Sequence, residues 1–260
     1  MEAPTKLSVV IITFNEADQI ADCIDSVTGL SDEILVVDSY STDNTVAIAK
    51  ALGARVLQHE FIGHIEQKNW AKDQAEHTFV LSLDADERLS DELRRNIATE
   101  KKLGFHHSGY YMNRLNFIGS KSIKGCGWYP DKKLRLWNRD LGKWSGINPH
   151  DKFRLRSGYP RMKLEGNLWH YSYKNRKELF KKSIKYGKIG GRYTLTLPYL
   201  TLIWKLLFSP IFKFVRNYFF KGGIAYGLDG LTICVCQIIE SYLKYIYGFG
   251  LKIQTQLFGK

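Results

Sequence analysis

The sequence predicts an α/β chain: a mostly parallel central sheet flanked by helices, followed by a helical extension. Three observations carry this. Short β-branched apolar runs recur at residues 7–12, 33–37, 54–57 and 79–83. Apolar positions at helical spacing separate them, the rhythm of strand–helix–strand crossovers. From residue 174 onward the pattern becomes continuously helical, aromatic and basic. At 260 residues the chain has room for one large domain with an appendage.

Residues 7–12 form a central strand that runs out in Thr13, Phe14, Asn15 and Glu16; Ile20, Ala21, Ile24 and Val27 then keep helical spacing. The second strand, 33–37, ends in Asp38 and a small polar run that can cap the helix of Val46, Ile48, Ala49 and Leu52. Gly53 closes that helix before strand 54–57, a helix spans 65–75, and 79–83 is the fourth strand. It ends in Asp84, Ala85, Asp86 and Glu87, with a helix starting near Ser90.

In an open parallel sheet, ligands bind beyond the carboxyl ends of the strands. Asn15, Asp38 and the Asp84/Asp86 pair all fall there. Crowded carboxylates repel one another and call for a cation, and two Asp separated by a small residue can face a divalent ion carrying phosphates. Neither G-x-G-x-x-G nor G-x-x-x-x-G-K-[ST] is present, so phosphate is not held by a glycine-rich helix start.

From about residue 108 to 169 aromatics, basic residues and glycines mix, with strand-like pieces near 133–137, 153–155 and 168–171, read as mixed or antiparallel additions to the sheet. Asn148, Pro149, His150 and Asp151 make a polar turn between them. The expected division is a catalytic domain over 1–173 (halves 1–105 and 106–173) and an extension over 174–260.

Charge divides the chain sharply. Residues 1–151 hold 18 Lys/Arg against 22 Asp/Glu; residues 152–260 hold 20 against 4. The basic part is expected to meet an acidic partner, an anionic membrane surface or nucleic acid. Its apolar stretches, near 197–220 and 228–251, are interrupted by Pro and by charged side chains, which predicts helices lying in the headgroup plane rather than spanning; a soluble helical cap is the alternative. Four scattered Cys and no visible signal peptide suggest a reducing compartment.

The ordered set Thr13-Phe14-Asn15-Glu16, Asp38-Ser39-Tyr40-Ser41-Thr42-Asp43, Gln67-Lys68-Asn69-Trp70 and Asp84-Ala85-Asp86-Glu87 resembles glycosyltransferase family 2, in particular bacterial lipopolysaccharide core β-glucosyltransferases. Trp128-Tyr129-Pro130, Pro149-His150-Asp151 and His170-Tyr171 extend the resemblance. Two departures stand out: Tyr40 where the family commonly has Gly, and Asp151 where it has Glu. The resemblance implies a GT-A fold and inverting transfer of a hexose from a UDP-linked sugar to a lipid-anchored glycan, on the inner face of the plasma membrane. Polyprenyl phosphate is the alternative acceptor. Thr13, Asn15, Glu16, Asp38, Lys68, Asn69, Asp84 and Arg135 would bind the donor, and Asp86 with Asp84 would hold Mg²⁺ or Mn²⁺. Asp151 would be the general base, oriented by His150. Arg135 and Lys133 either steady the diphosphate or belong to an outward-facing basic strand, and His170 is either a core histidine or a phosphate contact. Two other classes compete with this reading. A basic nucleic-acid-binding module explains neither the strand-end carboxylates nor the apolar runs; an Asp-nucleophile phosphohydrolase wants its pair near the first strand.

Overall fold

A computed structural model describes residues 5–148 and 150–258, the side chains of His150 and Phe258 excepted. The chain divides into two compact units, Met1–Leu115 with Asp131–His170, and Asn116–Pro130 with Tyr171–Lys260.

The strands are β1 (Leu7–Thr13), β2 (Glu33–Asp38), β3 (Arg55–Gln58), β4 (Phe79–Asp84), β5 (Glu87–Leu89), β6 (Gly109–Ile118), β7 (Lys121–Ile123), β8 (Asp131–Asn138), β9 (Gly142–Ile147), β10 (His150–Leu155) and β11 (Arg161–Tyr173). The main sheet runs β3-β2-β1-β4-β8-β6-β11-β5, with β7 on β6. Its β3-β2-β1-β4 half is parallel, and β8 pairs antiparallel to both β4 and β6. The mixed sheet of the expected GT-A class is therefore present, with the later strands joining in antiparallel sense.

In the first unit the helices are α1 (Ile20–Val27), α2 (Thr45–Ala51), α3 (His64–Asp73) and α4 (Asp91–Lys102). Side-chain alternation sends Val9, Ile11, Val36, Leu81 and Leu83 to one face, against Ile20, Ile24, Ala49, Leu93 and Ile97 of α1, α2 and α4. Val10, Leu35, Val37 and Val80 face the other way, onto Ala71 of α3 and onto Trp144, Phe153 and Leu155. Those last three belong to the β9–β10 hairpin, a separate two-stranded sheet rather than an addition to the main one. Register decides what happens at the sheet's end: Thr13 pairs with Asp38, and Ile12 with both Val37 and Asp84. Three polar strand tips are thereby adjacent.

The second unit is built from the far ends of β6 and β11, β7, and the helices α5 (Arg176–Gly191), α6 (Tyr199–Val215) and α7 (Gly227–Phe258). α5 crosses α7 at near backbone contact. A Cβ on Gly187 would lie 2.8 Å from that of Leu243, and one on Gly191 2.8 Å from that of Tyr247. Glycine is needed there for approach. The four cysteines of the chain are free and buried. Single charges at Glu240 and Lys244 do not interrupt α7, so the 35-residue stretch Gly223–Leu257 is long and apolar enough to cross a membrane by length and composition. The charges that the sequence places in this run lie within one continuous helix.

Candidate active site

The tips of β1 and β2 are tied together first. Asp38 is fully buried and accepts hydrogen bonds from the backbone N–H (2.9 Å) and hydroxyl (2.5 Å) of Ser41. The Ser41 hydroxyl accepts from the Asn15 N–H at 2.8 Å, and Asn15 Oδ1 accepts from the Thr42 N–H at 2.8 Å. The Glu16 N–H reaches the Thr45 hydroxyl at 2.9 Å. Asn15 holds φ 54° and Tyr40 φ 61°, both left-handed. Asn tolerates that region, and Tyr40 occupies it against the preference of a bulky side chain. This is the physical reason why glycine suits position 40. Beneath the two loops the Thr13 hydroxyl is buried, with no hydrogen-bond partner among the described residues.

A chain of alternating charges runs through the tip of β4. Lys68, from α3 and only 4% exposed, places Nζ 3.1 Å from Asp84 Oδ1 and 2.9 Å from Asp151 Oδ2. Arg135 of β8 donates from the other side to Asp84 Oδ2 at 2.9 Å and to Glu87 at 2.6 Å. Glu87, wholly buried, also accepts from the Asp84 N–H at 3.0 Å. Arg114 lies 3.5 Å from Glu87 and 2.9 Å from Asp131, which pairs with Lys133 at 3.1 Å. The Trp144 ring lies under this network, 4.7 Å from Lys68 Nζ and 5.7 Å from the Arg135 guanidinium carbon. Burial alone would raise the Asp84 carboxyl; Lys68 and Arg135 outweigh it and hold that group well below the usual carboxylate range. Burial likewise works against the charge of Arg135, yet Glu87 and Asp84 keep it firmly protonated. For Lys133 burial comes first and Arg114 second, and together they lower its affinity for a proton despite Asp131.

Asp86 points elsewhere. β5 turns back from Asp84 and pairs antiparallel with β11, setting His170 opposite Glu87. His170 Nε2 then lies 3.4 Å from Asp86 Oδ2. A carboxylate oxygen beside an imidazole nitrogen is a two-ligand start for a hard or borderline divalent ion, whose remaining positions phosphate and water can fill. Among the described residues no group of three or more such ligands gathers. Asp84 is engaged by two cations, Lys68 and Arg135, whereas Asp86 lies beside the His170 imidazole.

The structure thus brings Lys68, Asp84, Arg135 and Asp151 into one network, and sets Thr13 and Asp38 on neighbouring strand tips. Asn15 and Glu16 belong to the loop interlock. Asn69 spends both halves of its amide on the Trp144 backbone, at 2.9 Å each, and so ties α3 to the hairpin. Asn148 makes a second tie, accepting from the Ile65 N–H at 2.9 Å and donating to Glu66 at 2.8 Å. Pro149 and the side chain of His150 lie outside the described residues. Sequence reasoning passed over Glu87, Arg114 and Trp144. The first was visible in the acidic cluster, while nothing local marked the other two. His170 was noticed, but its partner was not.

Residues 8–162 match the pattern of glycosyl transferase family 2. An uncharacterized glycosyltransferase of Rickettsia prowazekii is 30% identical over 262 residues, covering 96% of this chain and 89% of its own. The lipopolysaccharide core biosynthesis glycosyltransferase LpsC of Rhizobium meliloti is 26% identical over 247 residues, covering 91% and 89%. Among solved structures, glucosyl-3-phosphoglycerate synthase from Mycobacterium tuberculosis in complex with Mn²⁺, uridine diphosphate and glucosyl-3-phosphoglycerate aligns at a TM-score of 0.40 and 24% identity. That alignment spans 53% of this chain and 58% of the other.

Proposed function

The chain belongs to glycosyl transferase family 2 and is a glycosyltransferase, and we propose that it moves a hexose with inversion from a UDP-linked donor to a lipid-anchored glycan. The observation that carries this reading is Lys68, one ammonium shared by a strand-tip carboxylate, Asp84, and a hairpin carboxylate, Asp151. It supports a cleft in which one acid faces the donor and the other faces the acceptor.

In this reading Asp86 and His170 hold Mg²⁺ or Mn²⁺, which when bound offsets the charge collecting on the departing diphosphate. Asp151 accepts the proton of the acceptor hydroxyl as the acceptor oxygen bonds to the anomeric carbon and the bond to the diphosphate breaks. Lys68, 2.9 Å away, holds the Asp151 side chain in place. Arg135, through Asp84 and Glu87, fixes the β4 tip. The buried Thr13 hydroxyl and the Asp38 loop serve the nucleoside: an unpartnered buried hydroxyl costs stability unless a ligand satisfies it. The C-terminal unit docks on the anionic cytoplasmic face of a membrane; its charge excess and the exposed apolar side chains of α6 support this.

Thermal unfolding of the full chain with a panel of nucleotide sugars, with and without Mg²⁺ or Mn²⁺, tests the proposal. A UDP-sugar at ~100 times its Kd should raise the midpoint by several degrees. Asp86→Ala should lose the metal-dependent part of that rise. If no nucleoside diphosphate stabilises the protein with either metal, the reading fails.

A further inference from the structure

Between α6 and α7, wholly within the C-terminal unit, lies a cavity of about 280 Å³. Lys213 and Arg216 line it from the α6 side, Lys244 from α7, with the hydroxyls of Ser209 and Ser241 beside them. Glu240 is the single acid in the lining. Among the described residues Lys213, Lys244 and Glu240 have no ion-pair partner, and Arg216 spends its Nε on Asn217 at 3.0 Å. Three cations facing one acid leave an excess of positive charge at this half-exposed wall, a setting that favours an anion. Ser209 of α6 and Ser241 of α7 add a hydroxyl from each helix, donors suited to phosphate oxygens.

The surroundings specify what kind of anion. Phe212, on the cavity's lining, is 67% exposed and continues a stripe along α6 formed by Leu200, Trp204, Leu207, Phe208 and Ile211. These recur at three- and four-residue spacing, so one face of the helix presents apolar side chains to solvent. A free phosphate would use the cations and leave this stripe bare. A phosphate attached to hydrocarbon would use both.

We propose that this cavity binds the phosphate headgroup of an anionic lipid whose chains lie along the exposed face of α6. The inference deepens the membrane-docking part of the reading above and rests on it. Lys213, Arg216 and Lys244 surround the phosphate, while Glu240 opposes it by like charge and limits how tightly it is held.

Titration calorimetry on the full chain tests this with dihexanoyl phosphatidic acid, dihexanoyl phosphatidylcholine and inorganic phosphate. Phosphatidic acid should bind at least tenfold more tightly than either of the others. Lys213→Gln with Lys244→Gln should weaken it about 30-fold, as two cations at an anionic headgroup would. The same charge removed elsewhere, Lys177→Gln with Lys181→Gln, should weaken it less than about threefold. Glu240→Gln should tighten binding, a gain that a folding defect cannot mimic. Equal losses in the two lysine pairs, or inorganic phosphate binding as tightly as the lipid, overturns the proposal. Sedimentation with phosphatidylserine vesicles separates the two levels. Failure of the parent chain to co-sediment sinks membrane docking; co-sedimentation with lipid binding unchanged by Lys213→Gln and Lys244→Gln sinks the cavity alone.

Discussion

The strand tips of the first unit and the α6 face of the second treat charge and hydrocarbon in opposite ways. At the tips, Lys68, Arg135 and Glu87 are 5% exposed or less, and each is matched by opposite charge. On α6, Trp204 and Phe212 are more than 60% exposed, while Lys213 has no ion-pair partner among the described residues. The first region is complete as a folded object except for what its ligand brings. The second is an unfinished surface, and it makes physical sense against a non-aqueous phase. The difference teaches that the same residue types build a closed, self-neutralised network where they meet and an open basic and apolar surface where they do not.

The contrast is broken most severely at Arg135. Arg135→Ala strands Glu87 and Asp84 as buried, partly unpaired carboxylates, and the expected loss is about 3–5 kcal/mol of unfolding free energy. Urea denaturation measures it; a loss under 1 kcal/mol would mean that the network is solvated. On the other side, Trp204→Ser with Phe208→Ser should leave the urea midpoint within about 0.5 kcal/mol of the parent. It should lower vesicle partitioning at least tenfold, at roughly 1 kcal/mol per interfacial aromatic. A large loss of stability with partitioning intact would show these side chains to be core instead. The smallest effect is expected at the loop between the strand tips. Tyr40→Gly relieves a left-handed backbone at some cost in chain entropy, for a net gain of a few tenths up to about 1 kcal/mol. A destabilised variant would indicate that the half-exposed ring makes contacts worth more than the strain.

Much of this was legible beforehand. The parallel half of the sheet followed from β-branched runs at regular intervals, and Asp38 and Asp84 were placed at strand ends because each run stopped there. The departure at Tyr40 was visible as an anomaly, and φ 61° explains it. What was not legible shares one property. The hairpin carrying Trp144 and Asp151, the Arg114–Glu87–Arg135 chain and the Asp86–His170 pair all join residues far apart in sequence.

By itself the sequence determined the alternation of strand and helix, the polar ends of the strands and the concentration of positive charge in the C-terminal part, since local periodicity and composition suffice for these. Tertiary structure decided which charge meets which. Lys68 could have served any of several carboxylates, and it is strand register together with the docking of β9–β10 on α3 that assigns it to Asp84 and Asp151. Pairing energies fall off within a few ångströms, and separations of that order are set by packing rather than by spacing along the chain.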